Sequence, residues 1–393
     1  MRPRVLIVGA GPVGLLLANL LADAGVDTLI VDKRNEATSR SKAIGITPPS
    51  LEILSRLDLD QTFIREGVKI TRAVVNNRRR RVGSLSFDSL PGRYPFILSF
   101  PQARTEELLQ ERLQKTRAAK MRLGTELTGL IRSPDGIRAE LSSGANGTEQ
   151  IEIIEPDYLC ACDGFRSTVR TLLGLPLQGR TAPETFLMAD FHDRSDLGDE
   201  AHLFFTPDGS VESFPLPGGL RRWVVQSEIY MDNPPSGYLE RMVEKRSGYL
   251  LEQEDKGWES PFRIHSKIMP RFLSGRVIFA GDAAHTIPPI GGQGMNTGFA
   301  DAERLAALLI RGDDLDSYDT TRRRAARTAA RRSLLSMRVG TVSGRFGSLL
   351  RNGAIGLALN TPLKKRLAAH YAMLSIPYRN LAAAPLKLAS GSS

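Results

Sequence analysis

The N-terminal thirty residues contain the pattern that most limits how this chain can fold. Residues 5–8 (VLIV) form a short apolar run that is typical of a buried parallel strand. A glycine-rich loop follows at residues 9–14 (GAGPVG), then a helical stretch at 15–24 and a second apolar run at 28–31. A strand, glycine loop, helix and strand in this order predict a βαβ unit, and therefore an α/β fold of Rossmann type.

The glycines of this loop are spaced for binding a dinucleotide. Gly9 permits a tight turn, Gly11 lets the backbone approach phosphate groups, and Gly14 lets the helix pack closely on the strand. The helix N-terminus offers free N–H groups to a pyrophosphate. Asp32 ends the second strand, 18 residues after Gly14, where a carboxylate can accept hydrogen bonds from a ribose. The unit predicts a dinucleotide site but does not separate NAD from FAD.

A second glycine-rich segment, residues 281–296, follows another buried strand. Asp282 is suited to hydrogen-bond a ribityl or ribose hydroxyl. Asn296 is predicted to begin a helix whose N-terminal dipole would stabilise negative charge on a reduced flavin ring. Glycine leaves bare backbone where a flat ring can lie close, and this segment places it at Gly291, Gly292 and Gly294. The two glycine-rich segments together predict FAD.

A third segment, residues 162–170 (CDGFRSTVR), lies between the other two. In this order and spacing the three segments resemble the FAD-dependent aromatic hydroxylases, the single-component flavoprotein monooxygenases related to p-hydroxybenzoate hydroxylase. The similarity in type extends over most of residues 1–310. The resemblance implies a Rossmann-type FAD-binding domain, an interleaved β-sheet substrate domain and C-terminal helices.

The resemblance also assigns individual residues to the cofactor. Asp163 is expected to contact FAD and NAD(P)H, and Ser167 to cap the helix that follows it. Arg40 and Gln102 match positions that relatives place against FAD. The residues predicted to bind the cofactor are Gly9, Gly11, Pro12, Val13, Gly14, Asp32, Lys33, Arg40, Gln102, Asp163, Gly281, Asp282, Pro289, Gly292, Gly294, Met295 and Asn296.

The activity that the resemblance implies is oxygenation of a small aromatic substrate. NAD(P)H would bind transiently and reduce FAD, and O2 would then form a flavin C4a-hydroperoxide that hydroxylates a phenolic or polyketide-like ring. Epoxidation, Baeyer–Villiger insertion, oxidative decarboxylation and hydroxylation of a quinone precursor at a membrane use the same framework and stay open. Flavin binding without turnover is a further alternative. A halogenase is disfavoured because the tryptophans, Trp223 and Trp258, lie far apart.

No catalytic acid or base is assigned from the sequence. His202 and Tyr230 are candidates whose more ordinary roles are packing and surface exposure. A structural role is favoured for His285, which lies within the second glycine-rich segment. Three aromatic residues are candidates to line the pocket, although strand register is not fixed by sequence: Phe204, Phe214 and Trp223.

The predicted domains interleave along the chain. Strand-rich insertions interrupt a FAD domain of βαβ character, and a helical, basic segment follows it. The FAD domain is predicted at 1–70, 100–175 and 265–320, the sheet domain at 71–99 and 176–264, and the C-terminal segment at 321–393.

Charge is unevenly distributed along the chain, whose net charge is +10. Residues 301–393 carry 16 Lys and Arg against 6 Asp and Glu, with no acidic residue after Asp319. A solvated helical face is the favoured explanation, and a weak membrane-surface contact is an alternative. Nucleic acid is not expected as a partner, because no binding motif is present. The spacing of Cys160 and Cys162 is not that of metal ligands, so no bound metal is expected. Both cysteines are expected to be buried in a strand, and the protein is expected in the cytoplasm.

Overall fold

The computed structural model describes residues 4–36, 43–78, 80–133, 136–145, 148–289 and 291–376. Strands and helices alternate in the N-terminal part, strands dominate the middle, and helices dominate from residue 293 onward. The strands are β1 (Val5–Val8), β2 (Thr28–Asp32), β3 (Gly45–Ile46), β4 (Val68–Ile70), β5 (Arg72–Asn77), β6 (Arg80–Ser86), β7 (Ile97–Ser99), β8 (Ala119–Leu123), β9 (Thr125–Ser133), β10 (Gly136–Ala145), β11 (Thr148–Ile154), β12 (Tyr158–Ala161), β13 (Gln178–His192), β14 (Ala201–Thr206), β15 (Gly209–Leu216), β16 (Leu220–Ser227), β17 (Lys256–Ile268), β18 (Leu273–Ser274), β19 (Val277–Phe279) and β20 (His285–Thr286).

The helices pack against these strands. They are α1 (Pro12–Asp23), α2 (Pro48–Ser55), α3 (Asp60–Glu66), α4 (Gln102–Leu113), α5 (Thr168–Leu172), α6 (Tyr238–Ser247), α7 (Gln293–Arg311), α8 (Asp316–Gly340), α9 (Arg345–Leu359) and α10 (Leu363–Tyr371). In the segments that the structure describes, no helix is long and apolar enough to cross a membrane.

The first large sheet has the strand order β18-β19-β12-β1-β2-β8 and carries the predicted βαβ unit. Strand β1 pairs in parallel with β2 and with β12, and β12 pairs in parallel with β19. Strand β1 is buried along its whole length, as its continuous apolar run predicts. Because parallel strands end at one edge, the loops after β1, β12 and β19 meet there, and these loops carry the three motifs.

The second large sheet has the order β20-β17-β13-β16-β15-β14-β5-β6. All of its pairs are antiparallel except β14 with β5. Two smaller sheets have the orders β11-β10-β9 and β3-β7-β4. The second large sheet lies over the motif-bearing edge of the first, and helices α8, α9 and α10 close the space beside it.

The structure confirms the strands and helices around the predicted motifs, but some of them begin or end at residues other than those predicted. Helix α7 begins at Gln293, three residues before the predicted start at Asn296. The predicted boundary between residues 320 and 321 falls inside α8, which is continuous from Asp316 to Gly340. Strand β20 joins the second large sheet, although its residues were predicted in the FAD domain. Cys160 and Cys162 are buried, as expected, but β12 ends at Ala161, so Cys162 lies just beyond the strand that was predicted to hold both.

Candidate cofactor and substrate site

One cavity of about 1400 Å³ runs between the two large sheets. At one end it is lined by the loop after β1 and the end of β2, and the loop before α7 lines its middle. At the other end the lining is mostly apolar and comes from the second large sheet and from α8, α9 and α10. The sites predicted for a dinucleotide and for an aromatic substrate therefore belong to one continuous space.

The N-terminal glycine loop has the geometry that phosphate binding requires. Gly9 has a φ of +106°, and a side chain there would lie 2.5 Å from the carbonyl oxygen of Cys162. Gly11 is the N-cap of α1, and no atom lies within 4 Å of the position a Cβ would take. No side chain caps this helix and no acidic residue occupies its first turn. Its N–H groups are thus available to an anion in the cavity.

Asp32 anchors the loop at the far end of β2. Its Oδ2 accepts a hydrogen bond of 2.8 Å from the Ala10 N–H, and Arg34 donates through its backbone N and its guanidinium. Burial opposes ionisation of Asp32, but the hydrogen bonds from Arg34 and Ala10 outweigh it and lower the pKa. Asp32 and Lys33 both line the cavity. This position is compatible with the predicted contact between Asp32 and a ribose, which stays a prediction.

Two charged residues that the sequence did not single out, Arg34 and Glu106, complete this end of the cavity. The Arg34 Nη1 lies 3.5 Å from a Glu106 carboxylate oxygen, and Gln102 donates a 3.0 Å hydrogen bond to Glu106. Burial raises the pKa of Glu106. Gln102 also accepts a hydrogen bond from the Ala43 N–H and lines the cavity. The four-residue spacing of Gln102 and Glu106 on α4 was the signal available for this pair.

The loop after β12 is fixed to the loop after β19. Ser167 accepts a 3.0 Å hydrogen bond from the Arg170 N–H, which confirms the predicted cap of α5. The Arg170 guanidinium reaches across and donates to the Ala283 carbonyl oxygen at 2.9 Å. Asp163 lines the cavity, accepts a hydrogen bond from the Val169 N–H, and has its pKa raised by burial. The second and third motifs thus act as one structural unit.

Small residues allow α7 to approach α1 at the middle of the cavity. A Cβ at Gly281 would lie 3.0 Å from Val13, and one at Gly298 would lie 2.5 Å from the same side chain. Gly292 has a φ of +65° and is the N-cap of α7, which has no side-chain cap and no acidic residue in its first turn. This second uncapped helix N-terminus is suited to negative charge on a flat ring.

Asn296 holds the second glycine loop from behind instead of lining the cavity. It is 1% exposed, and its amide nitrogen donates to the carbonyl oxygens of Gly45 and Gly292 at 2.8 and 2.6 Å. Its amide oxygen accepts from the backbone N and hydroxyl of Thr47. These bonds make Asn296 a positioning residue for the loop, and its predicted contact with the cofactor stays a prediction.

The predicted cofactor residues are mostly brought together. Gly14 is packed against Gly9, and Asn296 lies behind the loop. Arg40 lies outside the described residues. The predicted residues that line the cavity are Gly9, Gly11, Pro12, Val13, Asp32, Lys33, Gln102, Asp163, Gly281, Asp282, Pro289, Gly292, Gly294 and Met295.

Strand alternation separates the three predicted aromatic pocket residues. Phe214 lines the cavity from β15. Phe204 and Trp223 point to the opposite face, where they pack against each other and Tyr249. The prediction was therefore wrong for these two, because residues with the other parity along each strand face the cavity. Among the apolar residues that line this end are Val75, Phe186, Met188, Leu203, Phe205, Val224, Phe262 and Ile264.

None of the three titratable candidates named from the sequence faces the cavity. His285 is fully buried, and its Nε2 lies 2.6 Å from Asp301 Oδ2, while Asp301 Oδ1 forms a buried ion pair with Arg322. His202 lies 3.2 Å from the Asn76 amide on the outer face of the sheet, and burial lowers its pKa. Tyr230 packs under the Arg263 guanidinium. These contacts describe structural residues.

Two charged residues on the cavity face of the second large sheet were not found from the sequence. Arg222 forms a two-point ion pair with Asp190, with nitrogen–oxygen distances of 2.7 and 2.8 Å. Glu212 lies on the neighbouring strand β15 and lines the same face. The available signal was a charged residue inside a largely apolar strand, Glu212 in β15 and Arg222 in β16, but only the strand register shows which face it occupies. Among the described residues, no cluster of His, Cys, Asp and Glu could hold a metal ion.

Comparison with known proteins identifies a family and a fold. The family described as FAD binding domain matches residues 2–333. Pentachlorophenol 4-monooxygenase from Sphingobium chlorophenolicum is 35% identical over 81% of this chain and 61% of its own length. 6-Methylpretetramide 4-monooxygenase from Streptomyces rimosus is 33% identical over 96% of this chain and 71% of its own. The chain thus spans about two thirds of the length of these relatives.

A solved structure supports the fold independently of sequence. The p-nitrophenol 4-monooxygenase from Pseudomonas putida superimposes with a TM-score of 0.87 over 96% of this chain and 99% of its own. The two sequences are 23% identical, so this similarity concerns the fold alone. The fold is shared over nearly the whole of both chains.

Proposed function

Because the chain belongs to the FAD binding domain family, we propose that it is an FAD-dependent monooxygenase that uses NAD(P)H and O2. Its proposed substrate is a small phenolic or polyketide-like aromatic compound. The names of the two relatives above, which describe monooxygenases, support the reaction class. The cytoplasm is the proposed compartment, and the two free, buried cysteines are in keeping with it.

The observation that carries the proposal is the continuity of the cavity. The N-terminal glycine loop at one end, the second glycine loop at the middle and the apolar face of the second large sheet at the other end open into the same volume of about 1400 Å³. A cofactor held by the loops would therefore present its ring to a substrate held by the sheet. Apolar walls at the substrate end disfavour water beside the reacting groups, which protects a reactive oxidant.

The residues present fit FAD at several separate points. The N–H groups of α1 beside Gly11 are suited to the pyrophosphate, and the bare backbone of Gly292 and Gly294 to a flat ring. Asp32 and Arg34 define the ribose end. The chemistry that FAD supplies when bound is acceptance of a hydride and activation of O2. The chain itself supplies binding, orientation and exclusion of water.

The proposal is tested by NAD(P)H consumption of the FAD-loaded protein. The panel contains simple phenols, polycyclic phenols and quinone precursors, and products are analysed by mass spectrometry and NMR. A compound that accelerates consumption and gains one oxygen on an intact ring supports aromatic hydroxylation. Ring expansion or an epoxide would instead support the other reactions of the same framework. If FAD binds but no compound is oxygenated, the proposed activity is wrong.

A second candidate function, oxidation of a lipophilic quinone precursor at a membrane surface, has one observation in its favour. Helix α9 exposes Phe346, Leu349 and Leu357 by 74%, 70% and 71%, in a segment with no acidic residue. Exposed apolar side chains beside basic ones are suited to an anionic lipid surface. Sedimentation with phosphatidylglycerol vesicles tests this candidate. Equal recovery with neutral phosphatidylcholine vesicles, or none with either, would remove it.

A further inference from the structure

Glu212 is a buried carboxyl group on the substrate-facing wall of the cavity. It lies in the middle of β15, is 9% exposed and lines the cavity. Within the parts of the chain that the structure describes, its side chain makes no hydrogen bond or ion pair, and burial is the one cause of its pKa shift. The other buried acids near this wall are paired, as Asp190 is with Arg222. An unpaired buried carboxyl is costly, so its presence calls for a role.

The immediate surroundings of Glu212 are apolar. In the sheet register it lies opposite Leu203 on β14 and opposite Val224 on β16, both of which line the cavity. Phe214, two residues along the same strand, shares its face. An aromatic ring fits against such a wall, and the carboxylate is its central polar group. A ring bound here would direct a polar substituent to Glu212.

The charged and titratable groups on the elements that pack around Glu212 have other partners or are neutral, so Glu212 is available to a ligand. Arg222 is held by Asp190, and Arg351 on α9 stacks on Phe205 and donates to backbone carbonyl oxygens. His370 on α10 has its pKa lowered by burial and by Arg332, so it is neutral near pH 7. Tyr371 directs its hydroxyl to Ser336 at 3.4 Å, and burial raises its pKa.

Tyr371 also locates Glu212 relative to the predicted cofactor. The ring of Tyr371 would lie 3.3 Å from a Cβ placed on Gly291, in the second glycine loop. The negative charge of Glu212 acts on the same tyrosine and adds to the increase in its pKa. Tyr371 is thus adjacent to the loop on one side and close to Glu212 on the other. The space between Glu212 and the loop is where a substrate ring would meet the flavin.

We propose that Glu212 binds the hydroxyl of a phenolic substrate and accepts its proton. This assignment rests on the proposed function and narrows its substrates to compounds with an ionisable ring hydroxyl. In the step, the phenol O–H bond breaks, its electron pair stays on the phenolate oxygen, and the proton forms a new O–H bond on a Glu212 carboxylate oxygen. The electron-rich phenolate is then the better nucleophile toward an electrophilic oxygen.

The acid–base properties of Glu212 fit this role. Burial raises the pKa of the carboxyl group to about 7. A base whose pKa lies near the operating pH is partly ionised and still binds a proton strongly, which is the condition for efficient proton transfer. In an open, solvated site the same carboxylate would be a much weaker base.

The first test measures binding and needs no turnover. Equilibrium dialysis at pH 8 compares 1-naphthol with 1-methoxynaphthalene, which has no hydroxyl proton, on the FAD-loaded protein. We expect wild type to prefer naphthol by about tenfold or more, because a hydroxyl donates a charge-assisted hydrogen bond to the carboxylate. Glu212→Gln should reduce this preference to a few-fold. Equal affinity of wild type for both compounds, or no binding of naphthol, would overturn the assignment.

The matched control is Glu228→Gln, which makes the same chemical change at an exposed residue just beyond β16. It should leave the naphthol preference as in wild type. FAD content and thermal melting are measured for both variants to establish folding. Because dialysis does not depend on oxygenation, a missing activity would contradict the proposed function while leaving the result for Glu212 readable.

The second test separates proton transfer from positioning. For any phenol that wild type oxygenates, kcat/KM should rise with pH through about 7, and Glu212→Gln should lose that limb. We expect a loss of about 100-fold or more in kcat for weakly acidic phenols, and a smaller loss for phenols that are already ionised. An equal loss for both classes of phenol, with the pH limb unchanged, would show that Glu212 only packs against the ring.

Discussion

Gly11 and Gly14 are three residues apart, yet they lack side chains for different physical reasons. A Cβ on Gly14 would lie 2.0 Å from the Gly9 carbonyl oxygen, so the protein itself excludes one. A Cβ on Gly11 would meet no protein atom within 4 Å, and Gly11 lines the cavity. Packing within the fold therefore explains Gly14, and the space that the cofactor would occupy explains Gly11.

This difference predicts opposite effects of two alanine substitutions. Gly14→Ala should lower the free energy of unfolding of the FAD-free protein by about 3 kcal/mol or more, because the added methyl group meets backbone. Gly11→Ala should change it by no more than about 1 kcal/mol, since its φ of −81° suits alanine. Gly11→Ala should instead weaken FAD binding by about tenfold or more, as followed by flavin fluorescence. Unchanged FAD affinity in Gly11→Ala would contradict this placement of the pyrophosphate.

The buried carboxyl group of Glu212 should make the free energy of unfolding depend on pH, and this effect can be measured without any enzymatic activity. Burial raises its pKa from 4.5 to about 7, so the folded protein favours the protonated form. That stabilisation is complete below pH 4.5 and is lost as the pH rises to about 7. Glu212→Gln stays neutral, and at pH 8 it should therefore be more stable than wild type by up to about 3 kcal/mol.

Urea unfolding of the FAD-free proteins at pH 8 and near pH 4.5 measures this difference. The two proteins should have nearly equal stability at the lower pH. Glu228→Gln, with an exposed carboxylate, should follow wild type at both values. A constant difference between Glu212→Gln and wild type across this range would show that Glu212 is not the titrating group.

At the scale of elements, α7 is fixed by a buried ionic centre. Asp301 accepts hydrogen bonds from the Gly281 N–H at 3.1 Å, from His285 at 2.6 Å and from Arg322 on α8 at 2.7 Å. Burial opposes the charge of Asp301, but His285 and Arg322 outweigh it and lower the pKa. This centre joins the loop after β19, the short strand β20 and two helices. It holds the uncapped N-terminus of α7 against the cavity.

Asp301→Ala should accordingly destabilise the protein by about 3–5 kcal/mol, because it removes the carboxylate that compensates the buried charge of Arg322. The same variant should weaken FAD binding, because the Gly281 N–H loses the carboxylate that accepts its hydrogen bond. Asp316→Asn on α8 is the control, because Asp316 and its partner Arg271 are both largely exposed. It should cost no more than about 1 kcal/mol. Urea unfolding and flavin fluorescence measure both effects.

At the scale of the whole molecule, we propose that the two large sheets have separate binding roles. The first sheet and its loops would hold the cofactor, and the second would bind the substrate. Leu203 lies opposite Glu212 in the second sheet, and its side chain lines the cavity. Leu203→Trp should fill the substrate end, abolish naphthol binding and leave FAD affinity within about two-fold.

Gly11→Ala is the counterpart of this variant, because it should disturb the other end of the same cavity. Dialysis of naphthol and fluorescence titration of FAD are made on both proteins. If Leu203→Trp loses FAD affinity as strongly as Gly11→Ala, the division between the two sheets is wrong. A loss of folding in Leu203→Trp is detected by its thermal melt, and Leu203→Phe then takes its place as the milder change.

Local sequence determined the cofactor end of this protein. The strand before Gly9, the helix after it and Asp32 are contiguous or nearly so, and each motif lies where a parallel strand ends. Short-range patterns of burial and turn chemistry therefore sufficed to predict the βαβ unit and the α5 cap, while the resemblance of short motifs to a known family supplied other residues of that end, such as Gln102 and Asp163. Ser167 illustrates this, because its partner Arg170 is three residues away.

Only the tertiary structure decided the substrate end and the roles of several residues. Which face of β15 looks into the cavity depends on its pairing with β14 and β16, and a shift of one residue would have exchanged Glu212 for a neighbour. Asn296 contacts Gly45 from 251 positions away, which no local pattern could show. The substrate wall is built from strands distant in sequence, so its chemistry arises from register and packing.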